Sequence, residues 1–445
     1  MLLVDKAWEL ENEIKYQVGG SVKFIPKSQV VRIKAEKQPS AESRTPHYGF
    51  GVETSSPSTA PPQPLELTGP PKSSALSDDA VRKLQENLRA NPNDQNSRIE
   101  LVQVLNSMAS IQASKGDLKA AKATLQSALG YNKKSPVTLW NLALLDYKTG
   151  EYRAAEDLLM ALVEIDKRNQ RFHYLLGEAL YAQDKIPQAI NEWEIALQFG
   201  PQEQISQRLA KAKQEAPTHK ELGILQSSHF ILRYDRQVSD YRLGQEMLTA
   251  LEVIYRRLSS QLFGEEPGTV TVVIYPDSAY FDVTKAPRWS GAINDGKIRI
   301  PTKGLDTIDD QVKAVLTHEM VHSFVGFVNR GDCPTWFNEG VAQTQEGRSA
   351  GASHPWLKSL AGKNQLVPLT NLRGSFTQLS TESAQLAYVE GLSAVEYLVQ
   401  LKGPGILKSI FSLMAQNYNF ELAFRTATGN ALTDFEKNWA EFLAR

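Results

Sequence analysis

The alternation of hydrophobic and polar positions changes rhythm several times along the chain, and each rhythm predicts a different kind of element. From Trp8 to Ile33 the stretches EIKYQV, SVKFIP and QVVRIK alternate around a turn at Gly19 and Gly20, which predicts a small β-hairpin segment over residues 1–36. Such a unit is too short to bury a core alone. Residues 37–78 are rich in Pro, Ser, Thr and Gly and poor in branched aliphatics, so they read as an extended or disordered linker.

Over residues 79–216 the apolar period becomes helical, and the whole pattern returns every 34 residues. KGDLKAAKATLQSALG at Lys115, TGEYRAAEDLLMALVE at Thr149 and QDKIPQAINEWEIALQ at Gln183 align without gaps. Alanine recurs at Ala121, Ala155 and Ala189. Bulky apolar residues recur at Leu118, Tyr152 and Ile186, and again at Leu125, Leu159 and Trp193. Gly116 and Gly150 mark the turns. This pattern resembles the tetratricopeptide repeat over three units, 102–135, 136–169 and 170–203, with Gly177, Trp193 and Pro201 at family positions. Lys133 and Lys167 stand where the family places a helix-ending proline. The resemblance implies an α-helical solenoid whose groove binds a peptide or another protein, the alternative being a structural spacer.

Beyond Pro217, over residues 217–445, the pattern is mixed. SSHFILRYD alternates as a half-buried strand, an amphipathic helix is predicted from Tyr241 to Leu262, and TVTVVIYP reads as another strand. Ala292 to Ile300 predicts a hairpin with Asp295 and Gly296 in a type I′ turn. From about Gly391 to Leu443 the chain reads as further helices.

The chemistry concentrates in LTHEMVHSFVGFVNRGDCPTWFNEG, Leu316 to Gly340. Thr307 and Asp310 make a capping-box-like helix start, with Asp309 and Asp310 suited to the positive end of the dipole. On that helix His318 and His322 lie about 40° apart around the axis and about 6 Å along it, so both imidazoles reach one metal ion. Glu319 is placed to hold a water beside the metal rather than to ligate it. A catalytic zinc needs a third protein donor, and Glu339 is the obvious one: a second helix opening at Pro334 returns antiparallel and brings it to the histidines.

HEMVH followed by PTWFNEGVAQ resembles the gluzincin metallopeptidases. The order strand, helix, strand, DGKIRIP hairpin, HExxH helix and WxxEG helix is similar to the bacterial peptidase MA-like domain, over about Glu221 to Arg445. GAINDGK at Gly291 keeps only two letters of the aminopeptidase anchor motif and lacks its glutamate, which favours an endopeptidase. The resemblance implies a Zn2+-dependent hydrolase with Glu319 as general base, and the hairpin as the edge that pairs with extended substrate. Tyr388, in AYVEGLSAVEYL, stands where similar domains carry a tyrosine followed shortly by glycine, and is the expected oxyanion donor; His354 is the second candidate. The fold class is therefore α+β multidomain, a repeat solenoid followed by a zincin-like domain, with a small β segment in front. The competing reading is a non-catalytic or latent peptidase-fold scaffold acting through the repeats.

Composition narrows the partners. Lysine and arginine number 49 against 50 aspartates and glutamates, a net charge of -1, so no global field attracts nucleic acid or an anionic membrane. The single cysteine, Cys333, excludes an internal disulfide framework. No stretch reaches about 18 uncharged apolar residues, so no transmembrane segment is expected. The opening MLLVDKAW lacks a signal-peptide apolar region. A mature exported protein of the periplasm or envelope and a cytoplasmic protein both fit this opening.

Overall fold

The computed structural model of the chain describes the strands at residues 6–9, 13–18 and 21–26 and residues 78–445 apart from 236–240, 265–267, 285–291, 302–304, 306, 330–332, 377–378 and 417. Two units separate, residues 1–47 and 48–445. In the first, β1 (Lys6–Glu9), β2 (Glu13–Val18) and β3 (Ser21–Pro26) form an antiparallel sheet in that order. β2 and β3 pair as the expected hairpin strands, with Val18 opposite Ser21; the turn residues Gly19 and Gly20 lie outside the described residues. The sheet's third strand is KAWE, upstream; QVVRIK and the Pro-rich stretch lie outside the described residues.

The described residues of the second unit begin with eight helices: α1 (Asp78–Ala90), α2 (Gln95–Ser114), α3 (Leu118–Tyr131), α4 (Pro136–Lys148), α5 (Tyr152–Ile165), α6 (Gln170–Ala182), α7 (Ile186–Gln198) and α8 (Glu203–Glu221). Side-chain caps open α2, α3 and α4: Asp94 accepts from the N–H groups of Asn96 and Ser97, Asp117 from that of Ala120, and Ser135 from that of Thr138 ahead of Pro136, whereas α5 to α8 start without one. The positions that repeat in sequence are the buried ones, among them Ala121, Leu125, Ala155, Leu159, Ala189 and Trp193. Gly177 is needed where α6 crosses α7, since a Cβ there would stand 2.4 Å from the Trp193 ring. Pro217 lies inside α8, which runs on to Glu221.

There follow β4 (Gly223–Gln226), β5 (Phe230–Tyr234), α9 (Tyr241–Leu258) with a π-helical end at Ser259–Phe263, β6 (Val270–Tyr275), α10 (Asp277–Thr284), β7 (Ile293–Asn294) and β8 (Ile298–Pro301). The sheet order is β4-β5-β6-β8-β7. β5, β6 and β8 run parallel, and β4 and β7 are antiparallel to their neighbours. Seven helices complete the domain: α11 (Asp310–Asn329), α12 (Thr335–Gln345), α13 (His354–Gly362), α14 (Thr381–Lys402), α15 (Gly405–Ala415), α16 (Phe420–Thr428) and α17 (Leu432–Ala444). One core joins Leu232, Val272 and Ile298 of the sheet to Met247 of α9, Leu316 and Phe324 of α11, and Trp336 and Phe337 of α12. The chain is thus a helical repeat region followed by a mixed, helix-rich domain with a small sheet.

Two local expectations are corrected. The β7–β8 loop holds three residues, because Asn294 pairs with Ile298, and Asp295 does not take the positive φ of a type I′ turn. Its carboxylate is instead committed to Lys211 and Arg299. Helix α11 starts at Asp310 rather than near Thr307, because the Asp309 carboxylate accepts from the Val312 N–H at 2.8 Å and supplies the cap. No helix among the described residues is long and apolar enough to cross a membrane.

Candidate metal centre

Val312, Leu316, Met320 and Phe324 bury one face of α11. That fixes the helix's rotation, so His318 and His322 both point inward, with ring centroids 4.7 Å apart and planes at 82°. Trp336 and Phe337 anchor the start of α12 in the core, packed on Phe411 and Phe420, and Glu339 follows with no exposed surface. Ligand atoms of His318, His322 and Glu339 all lie within 4.8 Å of one another. His318 Nε2 is 3.3 Å from Glu339 Oε2, and His322 Nε2 is 3.6 Å from Glu339 Oε1.

The outer nitrogens face other partners. His318 Nδ1 faces Glu346 Oε2 at 3.2 Å, and His322 Nδ1 donates to Asn338 Oδ1 at 3.0 Å. Each ring therefore turns Nε2 toward the common point. Burial alone lowers both imidazoles; for His318 the Glu339 and Glu346 carboxylates overcome it and hold the ring well above its usual range, whereas His322 stays below. Burial pushes Glu319 up to about 8.

Both Nε2 atoms, both Glu339 oxygens and Glu319 Oε2 are buried without a hydrogen-bond partner of acceptable geometry. So many orphaned polar atoms at one point are costly in an apolar core, and a cation satisfies them together. Two imidazole nitrogens and a carboxylate are a donor set that fits zinc.

Helices α12 and α14 cross at two glycines. A Cβ on Gly340 would lie 2.4 Å from the Gly391 carbonyl oxygen, and one on Gly391 would lie 2.6 Å from that of Trp336. The crossing sets Tyr388 one turn before Gly391, its carbonyl accepting from Gln343 at 3.0 Å and its ring edge-on to Phe376 at 5.2 Å. The structure thus gathers His318, His322 and Glu339, with Glu319 on the same helix and Tyr388 on the helix across α12. His354 opens α13 with its ring edge-on to Phe442 of α17.

Two members of this arrangement escaped the sequence reading. Asn338 directly precedes Glu339 in WFNEG, and Glu346 follows it by two helical turns on about the same face, so helical spacing was the available signal. Neither residue belongs to the HExxH pattern.

Residues 260–445 match the family model of the Peptidase MA superfamily, and residues 112–177 match that of the tetratricopeptide repeat. The chain carries a Peptidase MA superfamily domain preceded by a repeat region. Among solved structures, the crystal structure of MamA is 18% identical with a TM-score of 0.25, covering 31% of this chain and 77% of that one. A mutant O-GlcNAc transferase from Thermobaculum terrenum is 15% identical with a TM-score of 0.25, over 50% of this chain and 45% of that one. No curated protein matches.

Proposed function

We propose that the chain is a zinc-dependent peptidase that cuts within polypeptides, with His318, His322 and Glu339 holding the metal and Glu319 as general base. The carrying observation is the convergence of orphaned Nε2 and carboxylate atoms at one buried point, with His322 Nδ1 hydrogen-bonded to Asn338 and His318 Nδ1 within ion-pair distance of Glu346. Zinc supplies Lewis-acid polarisation of a peptide carbonyl and lowers the pKa of water to about 7. A cation held by the trio would draw Glu319 toward its carboxylate form, and Glu319 would then accept a proton at Oε2 and return it to the leaving amine. Tyr388 donates to the negative charge that develops on the carbonyl oxygen. β7, the terminal strand of the sheet, is only two residues long and both are buried, Ile293 at 4% and Asn294 at 5% exposure, so the substrate edge expected there is not open in this structure. Asp295, neutralised by Lys211 and Arg299, is no anchor for a free amino terminus, which supports the endopeptidase reading. The repeat region holds a protein segment, substrate or partner, in its groove.

The test joins zinc content by mass spectrometry to cleavage of a mixed peptide library by the purified chain. One zinc per chain is expected, with cleavage that Glu319→Gln abolishes while zinc stays bound. Zinc without cleavage by the parent chain establishes the latent or scaffold reading instead, and a chain that takes up no zinc overturns the site.

A further inference from the structure

The three repeat turns fall at positions 116, 150 and 184, and all have positive φ: Gly116 at 83°, Gly150 at 75° and Asp184 at 63°. The first two are glycines, which occupy this region without strain. The third is an aspartate, a residue that takes it at a cost. The turn itself does not need a carboxylate, so what Asp184 touches explains it. All three turns lie against the C-terminal domain: a Cβ on Gly116 would meet Gln416, and one on Gly150 would meet Gly268. At the third, the buried Asp184 carboxylate stands 2.9 Å from Lys297 Nζ and 3.2 Å from His219 Nδ1, and it also accepts from Arg233.

Lys297 is 1% exposed and lies in the β7–β8 loop. Its ammonium also stands over the Tyr181 ring of α6, 3.9 Å from the centroid. From the other side α8 grips the same hairpin: Lys211 pairs with Asp295, and Glu215 accepts from Arg299 at 2.9 Å. Arg299, with no exposed surface, also binds Asp295 at 2.9 Å and the hydroxyls of Tyr275 and Tyr181 at 2.6 and 3.1 Å. β7 meets β8 over only two residue pairs, too short a ladder to fix its own place. Buried, paired charges are poor sources of net stability and can be sources of register.

The inner end of this hairpin reaches the site. Asn294 donates through Nδ2 to the Glu319 carbonyl at 2.8 Å and to Ser323 Oγ at 2.5 Å, while its Oδ1 accepts from the Gly296 N–H at 3.1 Å. We propose that the repeat array is a working part of the catalytic site: Asp184 holds the β7–β8 hairpin in register through Lys297, and Asn294 on that hairpin positions Glu319. Asn294 and Asp184 are positioning residues, and the role given to Glu319 rests on the peptidase reading above.

The experiment uses the full chain as Asp184→Gly, Asn294→Ala and the double variant. Asp184→Gly keeps a turn residue proven at positions 116 and 150 and removes only the carboxylate; Asn294→Ala leaves the buried charges intact. Hydrogen exchange of peptides covering residues 293–300, zinc per chain and steady-state cleavage of casein are read together. For Asp184→Gly, hairpin exchange about tenfold faster, kcat down about tenfold, KM within about twofold and unchanged zinc are expected. The double variant should be no slower than Asn294→Ala alone, since both act along one path. Asn294→Ala with parental kcat overturns the proposal, as does Asp184→Gly that lowers Tm while hairpin exchange stays parental. A parent chain that holds zinc and cleaves nothing sinks the peptidase reading, and the exchange measurement still decides whether Asp184 holds the hairpin.

Discussion

His318 and Glu346 are paired through Nδ1 at 3.2 Å, just past the end of α12, and Arg348 Nε holds the other Glu346 oxygen at 2.7 Å. The pair turns the ring so that Nε2 faces Glu339, and it raises the imidazole's electron density as a ligand. Glu346→Gln keeps the shape and loses the charge. It should weaken zinc binding by about 10- to 100-fold, read by competition with a chromophoric chelator. Parental affinity in that variant would leave Glu346 as a partner of Arg348 only.

The two glutamates within reach of the trio should separate by readout. Glu339→Ala removes one of three anchoring donors and should cut zinc occupancy and turnover together, whereas Glu319→Gln spares occupancy and stops turnover. Zinc content and casein cleavage measured on the same preparations decide it. Zinc lost in Glu319→Gln but kept in Glu339→Ala would reverse the assignment.

Tyr388 is tied by its carbonyl to Gln343, one turn beyond Glu339, so its backbone is fixed relative to the trio. Tyr388→Phe removes one hydroxyl and little volume. Turnover should fall by about a hundredfold with zinc retained. Unchanged kcat would return the donor role to His354 or to a backbone N–H.

What the sequence disclosed and what it hid follow one physical division. The 34-residue period and the His318–His322 spacing are local: a helix repeats its faces, so burial and ligand direction are written into nearby residues. Ala121, Leu159 and Trp193 were legible for that reason, as was the pairing of α11 with α12. The bond from Lys297 to Asp184 spans 113 residues and that from Arg299 to Glu215 spans 84, and nothing in either neighbourhood announces its partner. Asp295 lies in the β7–β8 loop as expected but not in a type I′ turn, because its carboxylate is engaged by Lys211 of α8 and by Arg299. Asn338 and Glu346 were within helical spacing of Glu339, yet a polar residue on a helix is usually solvated, and only the fold shows these two turned inward.

Glu390 gives a prediction about stability and pH that is independent of the metal centre. The side chain is fully buried; Oε1 accepts from the Val367 N–H at 3.0 Å, and Oε2 has no hydrogen-bond partner. Burial pushes its carboxyl up to about 8, the Val367 N–H opposes the shift, and Glu436 adds to it. The folded chain therefore holds a proton there that the unfolded chain releases near its ordinary value of 4.5. Stability from this group is fully present below that ordinary value and is lost as pH rises through about 8. Glu390→Gln imitates the protonated form and keeps the acceptor for Val367. Variant and parent should thus unfold at similar urea concentrations near pH 4.5, while near pH 8.5 the variant should be more stable by a few kcal/mol. Comparing the two at each pH cancels the titration of every other group. Equal midpoints at both pH values would mean that water reaches Glu390 and leaves its carboxyl ionised in the folded chain.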